Sequence, residues 1–244
     1  QVTPFIYEGV YFGLPVRFDV SGPGAGNVDG PTDICLFYCR DRNGAGGWLR
    51  PGNETLVPTG QAEMDELERL VPALHSVLDH GRWGEWDATM HYTPSSLLVV
   101  DDEIVLYYTG ASFGHEPEGS KSDGAGKNVY RVAVGRATMR LDGMVSLRAG
   151  EKETAVLTRP MLFTGHHLVV NAACKEGSLA VELTDEQGQP LPGFTRAEAS
   201  VFRGDELRHV VSWKGKSDLA GLAGRVVRLR FFLRRGDLYS FQFR

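Results

Sequence analysis

The chain has 244 residues, of which 42% are hydrophobic, enough to bury one large core or two smaller ones. Its 26 basic and 31 acidic side chains give a formal net charge of −5, and the lysines and arginines are scattered along the chain. The composition excludes a disordered chain, and the charge argues against binding to nucleic acid. No apolar run approaches the roughly 20 residues that cross a bilayer, so we expect no membrane segment.

Short β-prone runs fill the first part of the chain, and its glycines and prolines (30 and 12 in all) separate them. This pattern predicts an all-β fold with many turns. We predict strands at residues 5–12, 15–20, 33–39, 95–100, 103–109 and 129–140. In the fourth and fifth of these, Leu97–Val100 and Ile104–Tyr108 are joined by three acidic residues, which predicts a tight hairpin. Up-and-down strands of this kind build the blades of β-propellers.

The cysteines Cys35 and Cys39 lie in the predicted strand 33–39. Four residues of extended chain place their Cα atoms roughly 13 Å apart, which is too far for a disulfide. With Cys174 as the third cysteine, the count is odd. We interpret all three as buried small apolar residues, and they leave the cellular compartment open.

One segment departs from the β pattern. From Ala62 to Asp79, apolar residues recur at helical spacing, acidic residues occupy the first turn, and Gly81 follows the end. Pro72 predicts a kink or a break into two short helices. We expect this insertion, residues 62–79, to pack on the flank of the β-structure, with an oligomer contact or a lid as the alternatives.

From about residue 145 the strands become longer and alternate regularly. Apolar residues at every second position predict one packed face, as in Leu168, Val170 and Ala172, in Leu179, Val181 and Leu183, and in Leu229, Phe231 and Leu233. We therefore predict a jelly-roll-like sandwich of two sheets over 145–244. Trp213 and Tyr239 could stack on sugars there, although aromatic residues in a sandwich usually belong to the core.

Several segments together carry a resemblance to a known family. They are Tyr7–Pro15, Asp29–Asp33, the turn from Arg40 to Gly52, Trp86–Thr93, the strand end Tyr107–Gly110, Val132–Thr138 and Arg140–Leu147. The first three resemble the penultimate blade, and the others the last blade, of five-bladed propeller glycoside hydrolases related to arabinanases and fructosidases. In that family a C-terminal sandwich follows the last blade. The resemblance implies propeller blades over 1–144 and a β-sandwich domain over 145–244.

The first 144 residues are too few for a whole ring, because a blade takes roughly 40–50 residues and a ring needs at least four blades. We therefore expect the chain to be a fragment, with upstream blades missing, or a second chain to complete the ring. In this family the catalytic carboxylates come mainly from the first three blades. Some of them would then lie outside this chain.

Hydrolysis of a glycosidic bond requires two carboxyl groups facing each other across the sugar. Glu8 and Asp87 each precede a β-run at the start of an inferred blade, so we predict them as the catalytic pair; structural hydrogen bonding is the alternative for both. As substrate-binding residues we predict His91, His115, Glu116 and Asp29. The alternatives are a structural histidine for His91, solvated loop residues for His115 and Glu116, and turn capping for Asp29 and Asp33.

The resemblance implies a bacterial glycoside hydrolase-like protein, secreted or periplasmic, that acts on a polysaccharide or oligosaccharide by acid/base catalysis. Its partner would be a carbohydrate, with neither nucleic acid nor membrane involved. The sequence has no metal-ligand spacing, phosphate-binding loop or serine-hydrolase motif, so we expect no metal and no cofactor. The alternative is a non-catalytic carbohydrate-binding or surface interaction protein, because a propeller hosts either activity.

Overall fold

The computed structural model describes residues 4–18, 31–41, 47–51, 54–55, 76–82, 84–93, 96–114 and 131–244. Within these ranges the chain is built of strands and turns, with a single-turn 3-10 helix at Ala220–Leu222 and no α-helix, which confirms the predicted all-β class. The predicted helix at 62–79 lies mostly outside the described residues, and its last four residues, 76–79, are not helical. No helix in the described part of the chain is long and apolar enough to cross a membrane.

The chain divides into two compact units, Gln1–Met139 and Arg140–Arg244. The strands of the first unit are β1 (Phe5–Tyr7), β2 (Val10–Gly13), β3 (Val16–Phe18), β4 (Thr32–Ile34), β5 (Phe37–Cys39), β6 (Leu49–Arg50), β7 (Glu54–Thr55), β8 (Met90–Tyr92), β9 (Leu98–Val100), β10 (Glu103–Ala111) and β11 (Val132–Arg140), whose last residue belongs to the second unit.

The strands of the first unit form two sheets. One has the order β1-β2-β5-β6-β7, and the other has the order β11-β10-β8-β4-β3, with β9 paired to β10. From β1 to β10 the paired strands are antiparallel except β4 and β8, where Thr32 pairs with Met90 in parallel. The chain therefore moves from one sheet to the other several times within its first hundred residues.

Two predicted strands were wrong in the same way, because each is interrupted and contributes to two strands. The predicted strand 5–12 is a hairpin, β1 and β2, whose turn residues Glu8 and Gly9 both have positive φ (48° and 74°), the geometry of a two-residue hairpin turn. The predicted strand 33–39 is divided between β4 and β5 of different sheets. At the division the Cys35 amide donates to the Pro15 carbonyl oxygen at 2.9 Å instead of joining a ladder.

The predicted hairpin around residues 101–103 is confirmed as β9 and β10, with Val100 opposite Glu103. In β10, residues Ile104, Leu106 and Tyr108 lie on one buried face. The opposite face is more exposed and presents Tyr107. This asymmetry places Tyr108 among the buried side chains of its sheet.

The second unit is a sandwich. Its strands are β12 (Leu147–Ala149), β13 (Thr154–Leu157), β14 (Met161–Leu162), β15 (Leu168–Ala173), β16 (Ser178–Thr184), β17 (Asp205–Val210), β18 (Val226–Arg234) and β19 (Gly236–Phe243). One sheet has the order β12-β19-β15-β17, and in the other β18 pairs with β13, β14 and β16. Both sheets contribute to one apolar core, so the predicted two-sheet packing is confirmed.

The alternation in the sequence determines which side chains enter that core. Leu229, Phe231 and Leu233 of β18 are at most 5% exposed, whereas Arg230 and Phe232 between them are half-buried on the other face. Trp213 is 1% exposed, and its indole N–H donates to the Val181 carbonyl oxygen at 2.8 Å. Trp213 is therefore a core residue, as expected for an aromatic residue of a sandwich, and its buried ring cannot stack on sugars.

Candidate functional site

The candidate site lies in the first unit, where residues 84–89 lead into β8. The Asp87 carboxylate is half-buried, and its Oδ2 accepts a hydrogen bond of 2.8 Å from the Tyr108 hydroxyl. The Trp86 ring stacks on the Tyr108 ring, with centroids 5.6 Å apart and planes 25° apart. A carboxylate thus lies beside two stacked aromatic rings.

Two glycines in neighbouring strands make room for these rings. A Cβ on Gly135 of β11 would stand less than 3.0 Å from ring atoms of both Tyr108 and Trp86. A Cβ on Gly110 of β10 would meet Trp86 and Asp87 equally closely. Neither glycine has a positive φ, so their role is steric, and they let the aromatic rings lie close to the sheet.

A second carboxylate belongs to the same turn. Asp87 Oδ1 and Glu85 Oε2 both lie within 3.0 Å of the point where a Cβ on Gly81 would stand. Glu85 Oε2 also accepts a hydrogen bond of 2.7 Å from the Arg82 amide, which fixes its direction. The two carboxylate oxygens are therefore at most about 5 Å apart, less than the roughly 6.5–9.5 Å that separates the carboxyl groups of inverting glycosidases.

Behind the aromatic pair lies His91 of β8, which is 0% exposed. Its ring Nε2–H donates to the Asp87 carbonyl oxygen at 3.0 Å, and its ring meets that of Tyr108 edge-on at 5.1 Å. The main chain of His91 is held by Thr32 of β4, whose hydroxyl donates to the His91 carbonyl oxygen and accepts from the His91 amide. His91 therefore supports both Asp87 and Tyr108.

A second histidine completes the cluster. The His80 ring meets the His91 ring edge-on, with centroids 4.4 Å apart. His80 Nε2 donates to the Thr32 carbonyl oxygen at 3.0 Å and lies 3.5 Å from the Asp33 carboxylate, which is ion-paired with Arg17. A continuous chain of polar side chains thus runs from Arg17 to Asp87.

Burial shifts the protonation of two of these groups. Burial, with the Asp87 hydrogen bond and charge adding to it, raises the pKa of Tyr108 to about 12, so the hydroxyl keeps its proton and remains a donor. Burial, assisted by the charge of His80, lowers the pKa of His91 below its usual 6.5. The ring of His91 is therefore neutral at pH 7.

Of the predicted site residues, Asp87 and His91 are brought together in this cluster. Glu8 lies at the exposed tip of the β1–β2 hairpin, which belongs to a different sheet from His91 and Tyr108. His115, Glu116 and Asp29 lie outside the described residues. The catalytic and substrate-binding roles of all six stay predictions.

Sequence reasoning did not single out Tyr108, His80 or Glu85. The sequence predicts Tyr108 only as part of a hairpin strand, although the alternation in β10 also predicts that Tyr108 lies on the buried face of that strand. Glu85 stands two positions before Asp87, a spacing that a turn rather than a strand brings together. His80 offers no such signal, because it approaches His91 through a loop.

In the second unit, charged side chains line an open cavity of about 310 Å³, among them Arg148, Lys175, Glu176, Arg235 and Asp237. Each cation there has a carboxylate neighbour: Arg148 has Asp237, Lys175 has Asp205, and Arg235 has Glu151 and Glu176. Nowhere in the described residues do three His, Cys, Asp or Glu side chains cluster as metal ligands.

Comparison with known proteins gives little. No protein-family model and no curated protein sequence match the chain. Among solved structures, a glycoside hydrolase family 43 arabinoxylan arabinofuranohydrolase from Bacillus subtilis, in complex with cellotetraose, aligns with 100% of this chain at 11% identity and a TM-score of 0.26. The alignment covers 53% of that enzyme, so the chain spans about half of its length. A TM-score this low does not establish a common fold, and no family is assigned to the chain.

Proposed function

We propose that the chain is part of a carbohydrate-active protein of the glycoside hydrolase type, with its site at Asp87. The observation that carries the proposal is the Asp87 carboxylate, fixed at 2.8 Å by a buried tyrosine hydroxyl beside the stacked Trp86 and Tyr108 rings. Aromatic faces pack against the apolar faces of sugars, and carboxylates bind sugar hydroxyls. The proposal includes the sequence-based domains, propeller blades over 1–144 and a sandwich over 145–244, and an extracellular or periplasmic glycan as partner.

For catalysis we propose that Asp87 acts with Glu85. Asp87 is the more buried of the two, and the Tyr108 hydroxyl keeps one of its oxygens directed, as a nucleophile requires. Glu85 is the more exposed and would donate a proton to the leaving-group oxygen. As a carboxylate it would then take a proton from the water that hydrolyses the glycosyl intermediate on Asp87. Their separation favours retention over inversion, because inversion needs space for a water molecule between carboxylate and sugar.

The second candidate function is binding without catalysis. It is favoured by the origin of both carboxylates in one turn, where they come to the substrate from the same side. Glycosidases normally place their carboxyl groups on either side of the scissile bond. In this case Asp87, Glu85 and the aromatic pair form a sugar-binding surface, and hydrolysis is absent.

The test is a glycan panel assayed for both hydrolysis and binding with the wild type, Asp87→Asn, Glu85→Gln and Glu186→Gln. Glu186 lies on an exposed turn of the sandwich and serves as the control. Loss of hydrolysis by at least a hundredfold in the two site variants, with binding retained, supports catalysis. Binding by the wild type without hydrolysis, weakened in Asp87→Asn, supports the second function. If the site variants match the control in every assay, or no glycan binds, the proposal is wrong.

A further inference from the structure

The two histidines of the cluster are an unusual arrangement for a buried site. Their rings touch with centroids 4.4 Å apart, and His91 has no exposed surface. Because His91 Nε2–H donates to the Asp87 carbonyl oxygen, its Nδ1 carries a lone pair and no proton. This Nδ1 has no hydrogen-bond partner of normal geometry among the described residues.

The groups that face His91 differ in how they treat a positive charge. His80, from residues 76–82, opposes a positive charge on the His91 ring. The Asp87 side chain and the carbonyl groups of Asp87 and Leu78 favour that charge. Tyr108 and Thr32 are uncharged. The Asp33 carboxylate lies 3.5 Å from His80 Nε2 and is ion-paired with Arg17.

We propose that the His80–His91 pair is an acid-sensitive switch that keeps the Asp87 site assembled at neutral pH and loosens it on acidification. Two imidazolium rings at this distance repel each other, and the inner ring has no water to disperse its charge. Since His91 holds the Asp87 carbonyl oxygen and supports the Tyr108 ring, its displacement would release both groups that define the site. Only the ligand in this inference rests on the proposed function, because the response of the protein itself needs no ligand.

The direction of the response follows from linkage. A histidine whose pKa is lower in the folded state than in the unfolded chain stabilises the fold fully above about pH 6.5. The contribution declines as the pH falls from 6.5 to the folded-state pKa. Over that interval one proton is taken up on opening, so the opening equilibrium of this region rises up to about tenfold for each pH unit.

The first experiment is an NMR titration of the histidine rings in the wild-type protein, combined with amide hydrogen exchange of residues 84–93 between pH 5 and pH 8. We expect His91 to titrate below pH 6.5, and the exchange protection of this segment, corrected for intrinsic rates, to fall up to tenfold per pH unit below 6.5. A His91 that titrates at 6.5 or above, or protection that is constant with pH, would overturn the switch.

Variants separate the pair from general acid effects. In His80→Asn the neighbouring charge is removed, so the titration of His91 should move towards 6.5 and the pH dependence of protection should weaken. His166→Asn, in which the substituted residue is exposed in the second unit, should match the wild type. An unchanged His91 titration in His80→Asn would contradict the proposal, and no folded His91 variant is needed.

Glycan binding measured at pH 5.5 and pH 7.5 then connects the switch to function. If the protection responds to pH and no glycan binds at either pH, the switch stands and the proposed function fails. If a glycan binds equally at both values while protection is constant, the proposed function stands and the switch fails. Weaker binding at pH 5.5 in the wild type, with a smaller difference in His80→Asn, supports both.

Discussion

Replacing Gly135 with alanine tests the steric basis of the candidate site. With the rings in their wild-type positions, the Cβ of Ala at this position would stand less than 3.0 Å from Tyr108 and Trp86 ring atoms. The rings therefore have to shift in the variant. Overpacking of this kind costs about 1–3 kcal/mol. In a protein of this size that corresponds to a decrease in melting temperature of about 2–12 °C.

The measurement is thermal unfolding, together with glycan binding at a temperature where the variant is folded. Gly150→Ala is the matched control, because a Cβ at that exposed glycine would meet nothing within 4 Å and its φ is not positive. We expect Gly135→Ala to melt below this control and to bind glycan more weakly. Equal melting temperatures would mean that the rings do not lie over Gly135, and the account of the site would fail with them.

The sandwich and the cysteines give three further predictions. Trp213→Phe removes the donor to the buried Val181 carbonyl oxygen and should cost about 1–3 kcal/mol in urea unfolding; a neutral result would contradict the buried bond. The Arg140 hydrogen bond holds the pKa of Asp205 below 3.8, so the stability that this carboxylate gives to the sandwich is present above pH 3.8 and is lost as the pH falls further. Urea unfolding at several pH values should show a smaller loss in Asp205→Asn than in the wild type. Burial raises the pKa of Cys174 to about 11, so an aromatic disulfide reagent should label it only after denaturation; labelling of the native thiol would refute its burial.

The sandwich was predictable because its strands are long and one-sided. In β16 and β18 every second residue is apolar, and a period of two over seven to nine residues has no competing interpretation. Apart from β10 and β11, the described strands of the first unit have only two to four residues, in which the period hardly shows. The turn at Glu8, which has a positive φ, was therefore missed. So was the break at Cys35, whose amide binds the Pro15 carbonyl oxygen between β4 and β5.

The candidate site was partly predictable for a related reason. Asp87 and His91 were found because they stand next to a recognisable strand. Tyr108 lies 21 residues after Asp87 in the chain, in β10, and His80 approaches from a loop. A single sequence contains no signal for such contacts. The cysteines were predicted correctly as buried and free, although the single strand assumed for Cys35 and Cys39 is divided between β4 and β5.

The position of β19 has a consequence for how the second unit forms during synthesis. This strand lies between β12 and β15, so residues near 147 find their partner only at residues near 238, about ninety positions later. Long-range pairing of this kind slows folding because the loop must close before the contacts form. In a nascent chain that has not yet exposed Gly236–Phe243, β12 has no sheet partner and β15 lacks one of its two, so both present unpaired edges until β19 leaves the ribosome.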